Sequence, residues 1–149
     1  IYRTIDVPSE LSAIVAVPDF TLETKLAREA LPESVPMQDA VFNMCSVGLM
    51  IHGMMNKDFS LLRAGTDDRL HQPYRASLVP GLGNVMDAAL ASGAHSAALS
   101  GAGPTVIALA SHSQDLVAEA MSTTFEEHDI TSRTLTLIID NQGARRLDH

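Results

Sequence analysis

Two apolar runs, Ser96-Ala97-Ala98-Leu99-Ser100 and Thr105-Val106-Ile107-Ala108-Leu109-Ala110, are separated only by Gly101-Ala102-Gly103-Pro104. Small residues and two glycines let a backbone turn sharply and approach another surface closely. The segment therefore reads as two strands joined by a tight turn, and a sheet must be built around them. A phosphate-holding loop is the sharper alternative, but no Gly-Lys-Ser/Thr comes after the glycines. The next element is a strand rather than a helix N-terminus, and Pro104 lacks a backbone donor. A loop of this kind serves a phosphate site only by buttressing a segment supplied from elsewhere.

Residues 11–17 (LSAIVAV) form a short run rich in β-branched residues, stopped by Pro18-Asp19, and predict a buried strand. Residues 21–31 read as a helix capped by Thr21, with Thr24 and Arg28 on one face and Leu22, Leu26, Ala27 and Ala30 on the other. The strongest helical signal spans residues 37–55. Met37, Ala40, Val41, Met44, Val47, Gly48, Ile51, Met54 and Met55 recur there at one-turn spacing, and this stripe is expected to face the core. Asp39, Asn43 and Ser46 fall on the opposite face, the methionines read as adaptable core, and Cys45 reads as an inert core thiol.

A short helix is expected over residues 60–68, a polar loop over 69–80, and a helix over 84–92 stopped by Gly93. Residues 115–125 predict a further helix and 133–139 an alternating strand, with a loose polar tail from Asn141. A strand, a run of helices, two strands, a helix and a strand indicate an α+β domain. The closing β-β-α-β segment resembles half of a ferredoxin-like fold, a small and mostly antiparallel four-stranded sheet packed against helices.

The 149 residues are 46% hydrophobic, with a formal net charge of -8, enough to bury a core in one domain. The acidic balance argues against nonspecific nucleic acid or anionic membrane partners. No run approaches the ~18 apolar residues that span a bilayer. One cysteine excludes an internal disulfide and suits a reducing cytoplasm. The six histidines show no ligand spacing, so no metal site is expected from these side chains. The chain opens without Met inside the approach to a strand, so a longer or processed parent is expected.

Two further clusters could carry chemistry. Asp67-Asp68-Arg69-Leu70-His71-Gln72-Pro73-Tyr74-Arg75 gathers acids, arginines and a histidine. A solvated loop with internal ion pairs explains it. Alternatively Arg75, on a stiff Pro-Tyr lead-in, offers the planar fork that suits a carboxylate. Thr24 and Arg28 are one turn apart; Arg28 either pairs with Glu23 or Glu29, or joins Arg75 in clamping a carboxylate.

VAVPDFTLETKLAREALP (residues 15–32), QDAVFN (38–43), DRLHQPYR (68–75), VPGL (79–82) and GAHSAALSGAGPTVIAL (93–109) resemble the C-terminal half of the GHMP small-molecule kinases. Within that family DRLHQPYR and the T-x-x-x-R of Thr24 to Arg28, ahead of QDAVFN, are similar to the homoserine kinases. The resemblance implies a GHMP kinase C-terminal domain over residues 1–149. It also implies phosphorylation of the L-homoserine hydroxyl by ATP with Mg2+, a step toward threonine. Arg28 and Arg75 would bind the homoserine carboxylate with Thr24 beside them, and Ser100, Gly101, Ala102 and Gly103 would support the phosphate loop. The implied partners are homoserine, ATP, the family's N-terminal ATP-binding domain and a second copy in a homodimer. The family's nucleotide pocket, main phosphate loop and magnesium-binding acid belong to that N-terminal domain, so the chain by itself is expected to be inactive. The alternatives are an amino-acid-binding regulatory domain of the ACT type, a structural or dimerising domain with the glycine loop as an interface turn, or the C-terminal domain of another GHMP kinase acting on an alcohol that lacks a carboxylate.

Overall fold

The computed structural model describes residues 3–143. The β-branched run becomes β1 (Ser12–Pro18), and the hairpin becomes β2 (Ser96–Leu99) and β3 (Val106–Ala110). The last alternating run becomes β4 (Ser132–Ile138). The strands lie in the order β2-β3-β1-β4, and every neighbouring pair is antiparallel. In register, Ile14 faces Ala108 on one side and Thr136 on the other, and Ala98 faces Ile107. β1 and β2 therefore run parallel with β3 between them, and β3 and β4 run parallel around β1. That is the ferredoxin-like split β-α-β arrangement.

Between β1 and β2 lie α1 (Thr24–Glu29), α2 (Met37–Asn56), a 3-10 turn (Phe59–Leu61) and α3 (Leu62–Thr66). Next come α4 (Gln72–Arg75), a second 3-10 turn (Ala76–Leu78) and α5 (Leu82–Ala91), while α6 (Gln114–Glu126) joins β3 to β4. Burial alternates residue by residue along β3, as a one-sided sheet requires. Ile14, Ala16, Leu99, Val106, Ala108 and Ala110 pack against Val85 and Ala89 of α5 and Val117, Met121 and Phe125 of α6. Each large side chain removed from water there contributes about 1.5–3 kcal/mol. Gly93 takes φ +105 after α5, the left-handed stop its position predicts.

Four expectations need correction. Thr21 does not cap α1, which begins at Thr24 behind Glu23 in extended backbone. The loop expected over residues 69–80 contains α4 and a 3-10 turn, because the Asp68 carboxylate accepts the N–H groups of His71 and Gln72 and so starts a helical turn. Asn141 is not loose: its side-chain amide accepts from the N–H of Val7 and donates to the Val7 carbonyl. Residues 144–149 of the expected tail lie outside the described residues.

The fourth concerns α2, which is turned the other way round. The apolar stripe points outward: Met37 is 78% exposed, Met44 64% and Met55 65%, and Cys45 is exposed too. Ser46 and Gly53 are buried, with Asp39, Phe42, Asn43 and Met50 half-buried on the same face. Two interactions reward this orientation. Asp39 and Asn43 find polar partners in Arg69 and Asp68, in the segment after α3. Gly65 also lets α3 approach so closely that a Cβ there would sit 2.8 Å from Met50 Cβ. Met37, Met44 and Met55 are thus surface, whereas Met121 is core.

Candidate functional site

The motif segments 38–43 and 68–75 meet in one corner. Asp68 is its hub. Oδ1 accepts from Asn43 Nδ2 at 2.6 Å, and Oδ2 accepts the N–H groups of His71 at 2.7 Å and Gln72 at 2.6 Å. Asn43 returns the bond by accepting the Arg69 N–H at 2.9 Å. Arg69 then lies over the Phe42 ring at 3.9 Å and reaches Asp39 at 3.3 Å. Burial alone would raise the carboxyl pKa of Asp68. The backbone N–H groups of Gln72 and His71 and the amide of Asn43 outweigh it, so the group is held below its usual value. A loop of charged residues is in this way converted into a rigid seat for α4.

Two side chains of α4 use that seat. Gln72 Oε1 accepts the N–H of Leu99 at 2.7 Å, and its Nε2 donates to the Thr66 carbonyl at 3.1 Å. Leu99 ends β2, an edge strand, so Gln72 satisfies a donor that no neighbouring strand can reach. Arg75 is only 9% exposed. Its Nε donates to the carbonyl of Ala27 in α1 at 2.9 Å, and its Nη1 donates to the Gly101 carbonyl at 3.2 Å and lies 3.3 Å from His71 Nδ1. These bonds use Nε and Nη1, and none of them uses Nη2. Arg75 therefore ties α1 to the glycine hairpin.

Inside the hairpin the Ser100 N–H donates to the Thr105 carbonyl at 2.8 Å, and the Gly103 N–H donates to the Ser100 carbonyl at 3.0 Å. Gly101 (φ +60) and Gly103 (φ +87) occupy left-handed backbone that disfavours side chains. At Gly103 a Cβ would also press on Leu99 at 3.0 Å, whereas at Gly101 it would meet nothing. Two of the turn's donors are thus spent internally, and Pro104 has none.

Arg75 Nε holds the carbonyl of Ala27, the residue immediately before Arg28, so the link between the two arginines runs through the backbone. Thr24 and Arg28 are both exposed on α1. Glu29 pairs with Lys25, and among the described residues no ion pair or hydrogen bond is found for the Arg28 side chain. The pairing of Arg28 with Glu23 or Glu29 is therefore not realised. Two hollows adjoin the corner, of about 250 Å3 beside Asn43, His71 and Leu99 and about 240 Å3 beside Pro73, Leu82 and Met86. Neither is lined by Arg28, Arg75 or Gly101. Sequence reasoning missed Gln72 and the hub role of Asp68. The signal available was Asp68 ahead of Gln72-Pro73, an acid placed to cap a turn that begins with proline near its first position.

The family described as GHMP kinases C terminal matches residues 50–127. Homoserine kinase of Desulfitobacterium hafniense is 42% identical over 97% of this chain and 49% of its own length. That of Nostoc sp. is 44% identical over 96% and 49%. The chain spans about half the length of the curated relatives it matches. The crystal structure of homoserine kinase from Cytophaga hutchinsonii superposes with a TM-score of 0.88 at 31% identity, covering 93% of this chain and 45% of that one. Phosphomevalonate kinase from Streptococcus pneumoniae, at 12% identity and a TM-score of 0.59 over 85% of this chain and 40% of its own, shares the fold alone. With its split β-α-β sheet, its glycine hairpin and a match across residues 50–127, the chain belongs to the GHMP kinase family and carries that family's C-terminal domain.

Proposed function

We infer that the chain is the acceptor-binding half of an ATP-dependent homoserine kinase. In this reading ATP phosphorylates the hydroxyl of L-homoserine, and Arg28, Arg75 and Thr24 hold the amino acid. One observation carries it: Arg75 joins α1 to the hairpin by hydrogen bonds to Ala27 and Gly101, which leaves Nη2 and the neighbouring Arg28 side chain to a ligand. In this reading the two guanidinium groups, on adjoining segments, grip a carboxylate. Arg75 is pre-positioned by its own bonds, and Arg28 supplies the mobile second contact. Ser100, Gly101, Ala102 and Gly103 back a phosphate loop contributed from outside this chain.

The residues here do not fit Mg2+. Among those described, no three His, Cys, Asp or Glu side chains are grouped so as to hold a metal ion. The metal and most nucleotide contacts are assigned to the remaining half of the relatives' length, so this chain is expected to be inactive without it. No described helix is long and apolar enough to cross a membrane, and a cytoplasmic setting follows from the proposed metabolism.

The test uses the longer enzyme in which the segment is joined to an ATP-binding half. Arg28→Ala should raise the KM for homoserine about 10- to 100-fold, the equivalent of one charged hydrogen bond, and leave the KM for ATP within about twofold. A homoserine KM that does not move would refute the carboxylate role. A variant that turns over an alcohol lacking a carboxylate as well as before would point to a different acceptor.

A further inference from the structure

We propose that His71 is a positioning residue for the amino-acid acceptor, a role that rests on Arg75 binding the carboxylate. Its Nδ1 fixes the tilt of the Arg75 guanidinium and so aims Nη2 at the acceptor, without touching the acceptor itself.

The two ring nitrogens have separate tasks. A guanidinium has donors and no acceptor, so the 3.3 Å contact between Arg75 Nη1 and His71 Nδ1 is a hydrogen bond only when Nδ1 offers its lone pair. The ring proton then sits on Nε2, which faces the Asp68 carboxylate across 3.8 Å. Asp68 thereby favours the tautomer that Arg75 needs. With the proton on Nδ1 instead, donor would oppose donor. The ring is also anchored through its own backbone. The His71 N–H donates to Asp68 Oδ2 at 2.7 Å, and the His71 carbonyl accepts the Arg75 N–H at 3.1 Å. That bond sets the two side chains one turn apart on one side of α4.

The other two acceptors of the guanidinium are main-chain carbonyls of distant segments, Ala27 at 2.9 Å from Nε and Gly101 at 3.2 Å from Nη1. One bond at Nε anchors the planar group at a single corner. A second, at Nη1, sets its tilt and with it the direction of Nη2. Gly101 lies in a hairpin turn where an added Cβ would meet nothing within 4 Å, so the turn is unpacked on that side. Of the two Nη1 acceptors, His71 alone belongs to the seat that Asp68 organises and that carries Arg75. A hydrogen bond of this kind is equivalent to about 3- to 10-fold in an equilibrium constant, which is the share of acceptor affinity assigned to the aim of Nη2.

Two substitutions in the longer enzyme separate the nitrogens, because the side-chain amide of Asn reaches the place of Nδ1 and that of Gln the place of Nε2. His71→Gln keeps a donor for Asp68 and removes the acceptor for Arg75. It should raise the KM for homoserine about 3- to 10-fold and hold kcat and the KM for ATP within about twofold. His71→Leu, which offers neither group, should match it and guards against a folding defect peculiar to Gln. His71→Asn, although smaller, should recover most of the loss. Beside Arg75→Lys, which raises the homoserine KM by itself, His71→Gln should add less than about twofold, because the group it aims is gone. Equal effects of Gln and Asn, a loss shared with kcat or the KM for ATP, or an undiminished effect beside Arg75→Lys would give His71 a structural role and overturn the proposal. So would an unmoved homoserine KM in His71→Gln where Arg75→Lys raises it, and the carboxylate reading would then stand. A homoserine KM that Arg75→Lys leaves unmoved overturns that reading and the role of His71 with it.

Discussion

Replacing Asp68 by Asn tests whether its carboxylate organises the corner. The two side chains are nearly isosteric, so packing is preserved and hydrogen bonding alone changes. Asp68 receives three donors: two backbone N–H groups on Oδ2 and the Asn43 amide on Oδ1. An Asn must turn its NH2 toward one of these sets. Asn43 cannot simply flip in response, because its own Oδ1 accepts the Arg69 N–H. One donor is then left facing another. The Asp68 side chain is only 6% exposed, so water does not repair the loss. A missing charge-assisted bond at a site this dry costs about 2–3 kcal/mol. For a domain of this size that is a fall in Tm of roughly 5–10 °C.

The pH dependence separates charge from shape. In the fold this carboxyl is held below its usual pKa, so the unfolded chain takes up its proton first as pH falls. The contribution is complete above the unfolded value of about 4, and it is lost as pH drops through the lower folded value. Urea unfolding of wild type and Asp68→Asn should therefore show a constant gap near neutrality that narrows below about pH 4. A gap under about 0.5 kcal/mol at neutral pH would refute the reasoning, as would one that persists undiminished once both carboxyl forms are protonated.

Gly65→Ala forces a Cβ to within 2.8 Å of Met50 Cβ and 2.9 Å of its backbone, and should cost about 1–3 kcal/mol in denaturant melts. Gly83→Ala in α5, where a Cβ meets nothing within 4 Å, should instead hold stability or raise it by up to about 0.5 kcal/mol, and a loss of similar size at both sites would sink the packing argument. Gln72→Ala removes the acceptor for the Leu99 N–H at the sheet edge. It should destabilise by about 1–2 kcal/mol and speed hydrogen exchange at Leu99 more than at Val106 in the strand beside it.

Much of the fold is legible in the sequence because its periods are local. The β-branched run before Pro18, the hairpin around Gly101-Ala102-Gly103-Pro104 and the helix after Ser113 announce the α+β order. Their chain order leaves few ways to lay a four-stranded sheet. The glycines marked the turn because left-handed backbone is a property of single residues. Periodicity likewise established that α2 is a helix with one apolar and one polar side.

Which side of α2 faces the protein was decided only by the assembled structure. Hydrophobic spacing predicts the methionine stripe inward, but orientation is a competition between surfaces that meet across long stretches of chain. Asn43 and Asp39 find Asp68 and Arg69, and Gly53 and Gly65 let α2 and α3 come close. Directed contacts of that kind hold the polar side in place and leave the apolar side outward. The same holds for Arg75. A sequence offers its charge, and only the fold reveals that Ala27 and Gly101 lie within its reach, 48 and 26 residues away along the chain.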